Sequence, residues 1–181
     1  QYPTRTQIEQ IFVNRTPVFS AESPEVGVLD SKAAQGSPLT FLVKCVGSLP
    51  TSGSVEVAAV GTKGRNRLEL REVSATQRLT WLRDAAARLS DVLHGTAGVV
   101  ALQWKDDLLA LVQCDAGEAV MPLIAANSTE ELEPVAEAVE RALRDAPEAF
   151  RRTVVLTGQI ARLNENVTYR ISAGDASTRP A

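Results

Sequence analysis

The chain has 181 residues and a net charge of −3, from 19 lysines and arginines against 22 acidic residues. This length predicts one domain, or one domain with a small appendage, that buries its own apolar core. The slightly acidic balance argues against a protein that binds nucleic acid or a membrane surface through basic charge. No apolar stretch approaches the ~18 residues of a membrane-spanning helix, so we expect no transmembrane segment.

Residues 1–37 predict an irregular N-terminal segment, because prolines and glycines interrupt its second half. Near its start, Ile8, Ile11 and Phe12 recur at the spacing of a helix. This spacing predicts a short helix over Arg5–Val13.

Three strands are predicted next, at Leu39–Val46, Val55–Val60 and Arg67–Val73. Short turns that contain glycine, serine or asparagine separate them, which predicts antiparallel pairing. In the third strand, charged residues alternate with Leu68 and Leu70. This alternation predicts one exposed and one buried face.

A helix follows, and its two ends are marked by capping residues. Ser74 and Gln77 form a capping box at its start, and Gly95 suits the left-handed position after its last turn. His94 is predicted to interact with the dipole at the C-terminus of this helix. The apolar stripe predicted to be buried is Leu79, Leu82, Ala86, Leu89 and Leu93, and the face predicted to be exposed carries Arg78, Arg83, Asp84 and Arg88.

A second group of three strands is predicted at Val99–Trp104, Leu108–Cys114 and Ala119–Ala125. The first two are apolar on both faces, which is typical of strands that are covered on both sides. The charged turn at Asp106-Asp107 predicts that these two strands form a hairpin.

The second helix has two alternative starts. Either Ser128 and Glu131 form a capping box, or Glu133 caps the helix and Pro134 lies in its first turn, where proline is tolerated. Ala146-Pro147 is predicted to end the helix. Its predicted buried stripe is Val135, Val139, Ala142 and Leu143.

Thr153–Ile160 and Val167–Ile171 predict a last strand pair, and residues 173–181 a polar tail. The predicted fold class is α+β, with a largely antiparallel sheet of about six to eight strands and two main helices packed on it. The order is strand-strand-strand-helix twice, followed by the C-terminal strand pair. Residues 38–172 are expected to form this single domain.

The sequence offers few residues for catalysis. His94 is the only histidine, and the chain contains no C-x-x-C, no Gly-rich phosphate loop and no G-x-S-x-G. Aromatic residues make up 4% of the chain, which argues against a stacking platform for nucleic-acid bases. We therefore expect no catalytic residue, no metal and no cofactor.

Three asparagines lie in N-x-[ST] sequons and are candidate glycosylation sites: Asn14, Asn127 and Asn166. The chain begins Gln-Tyr-Pro and has its only methionine at position 121, as expected after removal of a signal peptide or for an excised fragment. These features favour a secreted or luminal protein, with a cytoplasmic location as the alternative.

Cys45 and Cys114 each follow apolar residues at a period of two, which predicts two buried thiols. In an oxidising compartment, a Cys45–Cys114 disulfide is the alternative, provided that the two strands lie close together.

The order of the predicted elements from Val55 to Leu143 is similar to that of longin and roadblock domains, and of small secretion chaperones. A second resemblance, to the luminal head of prorenin receptors, rests on the run Thr40-Phe-Leu-Val-Lys-Cys-Val-Gly-Ser-Leu-Pro50 followed by Gly53-Ser-Val55. The predicted strand at Ala119–Ala125 departs from that family. Each resemblance implies a non-enzymatic head that binds another protein.

The sequence therefore predicts a non-enzymatic protein-interaction or accessory domain. Its expected partner is another protein, which includes a second copy of this chain in a homo-oligomer. Trp81 and Trp104 are the predicted interface anchors. The alternatives are a cytosolic chaperone or trafficking adaptor with longin- or roadblock-like topology, and a small enzyme that uses carboxylates or a Ser or Thr hydroxyl.

Overall fold

The computed structural model divides the chain into two compact units. Gln1–Val73 together with Arg151–Ala181 form the first, which we call the sheet unit, and Ser74–Phe150 form the second, the helical unit. The structure describes residues 5–14, 16–20, 38–59, 64–95, 112, 114–117, 130–160 and 167–177.

The described part of the sheet unit contains eight strands in one antiparallel sheet, in the order β2-β1-β3-β6-β5-β4-β7-β8. With the two long helices given below, this sheet confirms the predicted α+β class. The strands are β1 (Thr6–Val13), β2 (Thr16–Ser20), β3 (Leu39–Gly47), β4 (Ser52–Ala59), β5 (Arg65–Glu72), β6 (Thr153–Ile160), β7 (Val167–Ala173) and β8 (Ala176–Ser177).

The sheet curls until its two ends approach each other. Phe41 on β3 and Tyr169 on β7 make an edge-to-face contact, with ring centroids 5.2 Å apart, although three strands separate β3 from β7. Where the ends meet, the Thr6 backbone N–H donates a 2.7 Å hydrogen bond to Asp175 Oδ1. A nearly closed sheet has one interior, so alternate residues of each strand point into a common core.

The interior of the sheet is filled with apolar side chains that come from every strand except β8. They include the Phe41 and Tyr169 rings, and the Cys45 thiol lies among them in the core. The buried core residues are Ile11, Val13, Val18, Leu39, Phe41, Val43, Cys45, Val55, Leu70, Val154, Leu156, Tyr169, Ile171 and Ala173.

The strand β1 replaces the helix predicted over Arg5–Val13, so that prediction is wrong. The register of β1 against β3 shifts between Ile8 and Gln10, which makes Glu9 the extra residue of a β-bulge. Because of the bulge, Ile8 and Ile11 face the same core although they are three positions apart. The bulge therefore gives the apolar residues of this strand the spacing that is typical of a helix.

The predicted strands at residues 39–46, 55–60, 67–73, 153–160 and 167–171 correspond to β3, β4, β5, β6 and β7. The predicted pairing of the last two strands is wrong, because β6 lies between β3 and β5, and β7 lies between β4 and β8. The consecutive buried residues Val154, Val155 and Leu156 are typical of such a central strand. Within the predicted polar tail, Ala176–Ser177 forms β8.

In the helical unit, α1 spans Ala75–Leu93, and its caps are those predicted. Ser74 Oγ accepts a 3.1 Å hydrogen bond from the Gln77 N–H, and Gly95 has a φ of 76°. His94 closes the last turn, because its backbone N–H and its ring Nδ1 both lie within hydrogen-bond distance of the Ser90 carbonyl oxygen, at 2.9 and 2.7 Å.

The second long helix, α2, spans Glu133–Arg152 and follows a single 3₁₀ turn. Pro134 lies in its first turn, as in the second of the two predicted starts. The predicted end at Ala146-Pro147 is wrong, because the helix continues through Pro147 to include Phe150. An internal proline costs roughly 3 kcal/mol. Phe150, in the turn that follows Pro147, is half-buried against the helical core. The predicted stripe is buried at Val135 and Val139 and half-buried at Ala142 and Leu143.

Neither α1 nor α2, within the described ranges, combines the length and apolar character that a membrane-crossing helix requires.

Most of the second predicted group of strands, including Val99–Trp104 and Ala119–Ala125, lies outside the described residues. Within Leu108–Cys114, the described residues Val112 and Cys114 are helical, so the predicted strand is wrong there. Both side chains are buried. When a segment is apolar on all sides, the spacing of its apolar residues does not show whether it forms a strand or a helix.

The two cysteines lie in different units, and no disulfide joins them. Cys45 belongs to the sheet core, and Cys114 is buried in the helical unit. Burial raises the pKa of the Cys45 thiol to about 11, which keeps it protonated and unreactive at neutral pH.

The buried face of α1 is rotated from the predicted one, and the prediction that Arg78 is exposed is wrong. Ala86 and Leu93 are half-buried, while Ala85 and Val92 take the buried positions. The residues of α1 that are buried are Arg78, Leu82, Ala85, Leu89 and Val92.

Arg78 is buried because its guanidinium group pairs with a carboxylate and packs against an aromatic ring. Its Nε and Nη2 atoms donate hydrogen bonds to Asp115 Oδ2 and Oδ1, at 3.2 and 2.5 Å. The guanidinium carbon lies 4.1 Å from the centre of the Phe150 ring. The Arg78 and Asp115 side chains are only 3% and 4% exposed, so this is a buried pair of opposite charges.

We expect Arg78→Met to lower the free energy of unfolding by about 3–5 kcal/mol, because it leaves the Asp115 carboxylate buried without its counter-ion. Arg78→Met combined with Asp115→Leu should recover most of this loss, since no buried charge remains. Urea unfolding measures both effects, and Arg83→Met on the exposed side of α1 is the control, expected to change stability by about 0.5 kcal/mol or less. A loss in Arg78→Met no larger than that in the control would contradict the account.

Candidate functional site

Three neighbouring strands, β5, β4 and β7, present one polar surface to the outside of the sheet. Leu70, Val55 and Ile171 on these strands are core residues, so the alternate positions point outward. We call the outward set the polar face. It comprises Arg65, Arg67, Glu69 and Arg71 of β5, Ser52, Ser54, Glu56 and Ala58 of β4, and Thr168, Arg170 and Ser172 of β7.

The polar face is positively charged, although the chain as a whole is negative. It carries four arginines and two glutamates, a net charge of +2, in a chain of net charge −3. Its ion pairs are Arg65–Glu56 at 3.7 Å and Arg67–Glu69 at 2.9 Å. Arg71 and Arg170 are exposed and form no ion pair with another residue that the structure describes.

On β4, the outward residues Ser52, Ser54 and Ala58 have short side chains, and Glu56 is the one long side chain among them. Because the outward side chains of β5 are longer, we call this line along β4 the trough. Gly53 allows close packing beneath it, since a Cβ atom there would lie 2.6 Å from the Ser172 carbonyl oxygen. A depression of about 70 Å³ lies near Ala58, and a larger cleft of about 580 Å³ lies near Ser52. Both depressions lie along β4, and Glu56, which pairs with Arg65, lies between Ser54 and Ala58.

The larger cleft lies at the seam where the two ends of the sheet meet. The loop between β3 and β4, the start of β1 and the turn between β7 and β8 all contribute to its lining, which is rich in hydroxyl groups. Its lining residues include Thr6, Leu49, Ser52, Ser54, Ser172 and Asp175.

Hydrogen bonds at the seam fix the shape of this cleft. Thr6 donates from its backbone N–H to Asp175 Oδ1 at 2.7 Å and from its hydroxyl to the Ser48 carbonyl oxygen at 2.6 Å. The Thr6 backbone N–H is the main reason that the pKa of Asp175 lies below its ordinary value. Asp175 is therefore held as a carboxylate that closes the sheet.

Leu49 lies on the rim of the cleft, in the loop between β3 and β4. Among the residues that the structure describes, it is the only large apolar side chain that is exposed, at 39%. Its neighbours in the lining, Ser48 and Thr51, carry hydroxyl groups. A molecule that fills the cleft would contact this leucine, so Leu49 is a candidate contact residue.

Of the site residues predicted from sequence, none that the structure describes lies on the polar face. Trp81 is half-buried on α1. Asn14 forms the turn between β1 and β2 with a φ of 55°, and its Oδ1 atom accepts a 3.0 Å hydrogen bond from the Thr40 N–H. Trp104, Asn127 and Asn166 lie outside the described residues, so the predictions for them stay predictions.

The sequence predicted one part of the polar face, the exposed charges of β5. The outward positions Thr168, Arg170 and Ser172 of β7 also alternate with apolar residues in the sequence. The missing information was that β4 lies between β5 and β7, which brings Arg170 and Arg71 onto one surface.

Within the described ranges, no three histidine, cysteine, aspartate or glutamate residues cluster closely enough to hold a metal ion.

Comparisons of the chain with protein-family models, with curated proteins and with solved structures find no match. The polar face and the cleft are therefore interpreted from their geometry and charge.

We expect the seam to weaken in acid. Because the pKa of Asp175 is lowered in the folded state, its contribution is complete above the ordinary aspartate pKa and is lost as the pH falls through the lowered value. Asp175→Asn keeps a hydrogen-bond acceptor but removes the charge, so it should flatten the pH dependence of stability in this acidic window. Urea unfolding over a pH series measures this, and an unchanged pH profile would contradict the role of Asp175.

Proposed function

We propose that this chain is a non-enzymatic protein-interaction or accessory domain, secreted or luminal, and that it binds its partner on the polar face and the adjoining cleft. The observation that carries the proposal is Leu49, an exposed leucine on the rim of a cleft of about 580 Å³. Protein interfaces combine apolar contacts with a polar rim in this manner. The sequons at Asn14, Asn127 and Asn166 support the location.

The size and composition of the polar face favour a polypeptide partner. The strand β4 has eight residues, so the trough is about 26 Å long at about 3.3 Å per residue. An extended segment of similar length would contact Leu49 at one end and Arg170 further along. Arginine is enriched at protein interfaces because its guanidinium group both stacks and donates several hydrogen bonds.

The two alternative functions have weaker support. The chaperone or adaptor alternative depends on the longin-like order of strands, and the described residues Val112 and Cys114 are helical where that order requires a strand. An enzyme would use the carboxylate and hydroxyl groups of the cleft. There, the lowered pKa of Asp175 and its bond to the Thr6 N–H favour a structural role over proton transfer.

Photo-crosslinking tests the proposed surface. Leu49→benzoylphenylalanine should give a defined covalent adduct with a partner protein in the medium or extract of the cells that produce the chain. The matched control is Ala87→benzoylphenylalanine, at an exposed position of α1. Excess wild-type protein should compete for the adduct, and excess Leu49→Asp protein should not, because a carboxylate there removes the apolar contact.

Two results would count against the proposed function. One is an equal yield of adducts from positions 49 and 87. The other is competition by the Leu49→Asp protein that equals competition by wild type.

A further inference from the structure

We infer that the partner presents an acidic, extended segment to the polar face, with carboxylates that pair with Arg71 and Arg170. This inference rests on the proposed function and specifies the chemistry of the partner. Its basis is charge complementarity: the polar face has a net charge of +2, so the remainder of the chain has a net charge of −5. Of the 19 lysines and arginines, four lie on the polar face, and the excess of acidic residues lies elsewhere in the chain.

The two arginines lie on opposite sides of the trough. Arg71 on β5 is opposite Ser52 of β4, and Arg170 on β7 is opposite Glu56 of β4. Ser52 and Glu56 are four positions apart, which is about 13 Å along a strand. The two arginines also lie on strands about 10 Å apart, on either side of β4, so their positions are separated by about 16 Å on the diagonal. An extended segment parallel to β4, with carboxylates four residues apart, places one carboxylate level with each arginine, and the long arginine side chains cover the sideways distance.

The small residues between the arginines suit a polypeptide backbone. Ser52, Ser54 and Ser172 offer hydroxyl groups that both donate and accept hydrogen bonds. Ser52 is exposed and Ser172 is half-buried, while Ser54 is only 7% exposed. An extended backbone can therefore approach Ser52 and Ser172 while its carboxylates reach the arginines.

The distribution of charge on the polar face argues against a nucleic acid. Glu56 and Glu69 lie among the arginines, and a continuous line of phosphates would approach both carboxylates. Tyr169, the aromatic residue of β7, is 6% exposed and packs against Phe41 in the core, so it offers no ring for a base to stack on. A polypeptide can instead vary its side chains opposite the two glutamates.

A labelled peptide of about eight residues, to match β4, with two glutamates four positions apart and serine elsewhere, tests the inference by fluorescence anisotropy. Arg71→Gln/Arg170→Gln should weaken binding about tenfold, as expected for the loss of two exposed ion pairs. Arg83→Gln/Arg144→Gln removes the same charge from exposed sites on α1 and α2 and should change affinity by less than about twofold. Raising the ionic strength from about 0.01 M to about 0.15 M should also weaken binding, because the Debye length falls from about 30 to about 8 Å.

Chemical-shift mapping locates the bound peptide. Binding should shift the backbone amide signals of β4 and β7 in the wild-type protein, including those of Ser54 and Ser172. Equal weakening by the two double variants would overturn the inference, since it would show binding to net charge alone. A second result would also overturn the inference, in favour of a nucleic acid. In that result, a single-stranded oligonucleotide binds more tightly than the peptide, and Arg71→Gln/Arg170→Gln abolishes its binding.

The failure of this inference and the failure of the proposed function give different results. If Leu49→benzoylphenylalanine forms its adduct and the further changes Arg71→Gln and Arg170→Gln leave the yield unchanged, the partner is not acidic, while the proposed function stands. If the adduct never forms, the proposed function itself fails, whatever the affinity for the acidic peptide.

Discussion

Near-closure of the antiparallel sheet is the constraint on which the candidate site depends. The contact between Phe41 and Tyr169 crosses the interior, and the bond from Thr6 to Asp175 joins the two ends. Because the interior admits apolar side chains, every second residue of a strand faces inward and the remainder face outward. On β5, β4 and β7, the outward residues are arginines, glutamates and hydroxyl-bearing residues, and the cleft beside Leu49 lies where the sheet closes.

The helical unit depends on a different interaction, the buried pair of Arg78 and Asp115. Such a pair adds little net stability compared with apolar residues of similar size, but the loss of either partner leaves a buried charge. The Phe150 ring against the guanidinium group brings α2 into the same cluster. Thus residues of α1, of α2 and of the helical segment around Asp115 meet at this pair.

The sequence predicted those parts of the fold that depend on near neighbours. The caps of α1 at Ser74 and Gly95 and the alternation within β5 are local signals, and the structure has both. The predictions were wrong where residues far apart in the chain interact. The bulge at Glu9 arises from the pairing of β1 with β3. Arg78 is buried because it pairs with Asp115, 37 positions further along the chain. The polar face has the same origin, since the order of strands in the sheet brings β7 beside β4.

We propose that the outer surface of β5, β4 and β7 binds the partner. Modification of arginines by phenylglyoxal, quantified by mass spectrometry with and without the bound partner, tests it directly. The account predicts that binding slows the modification of Arg71 and Arg170 and leaves the rates at Arg83 and Arg144 unchanged. Equal protection of all four arginines, or protection confined to Arg83 and Arg144, would contradict it.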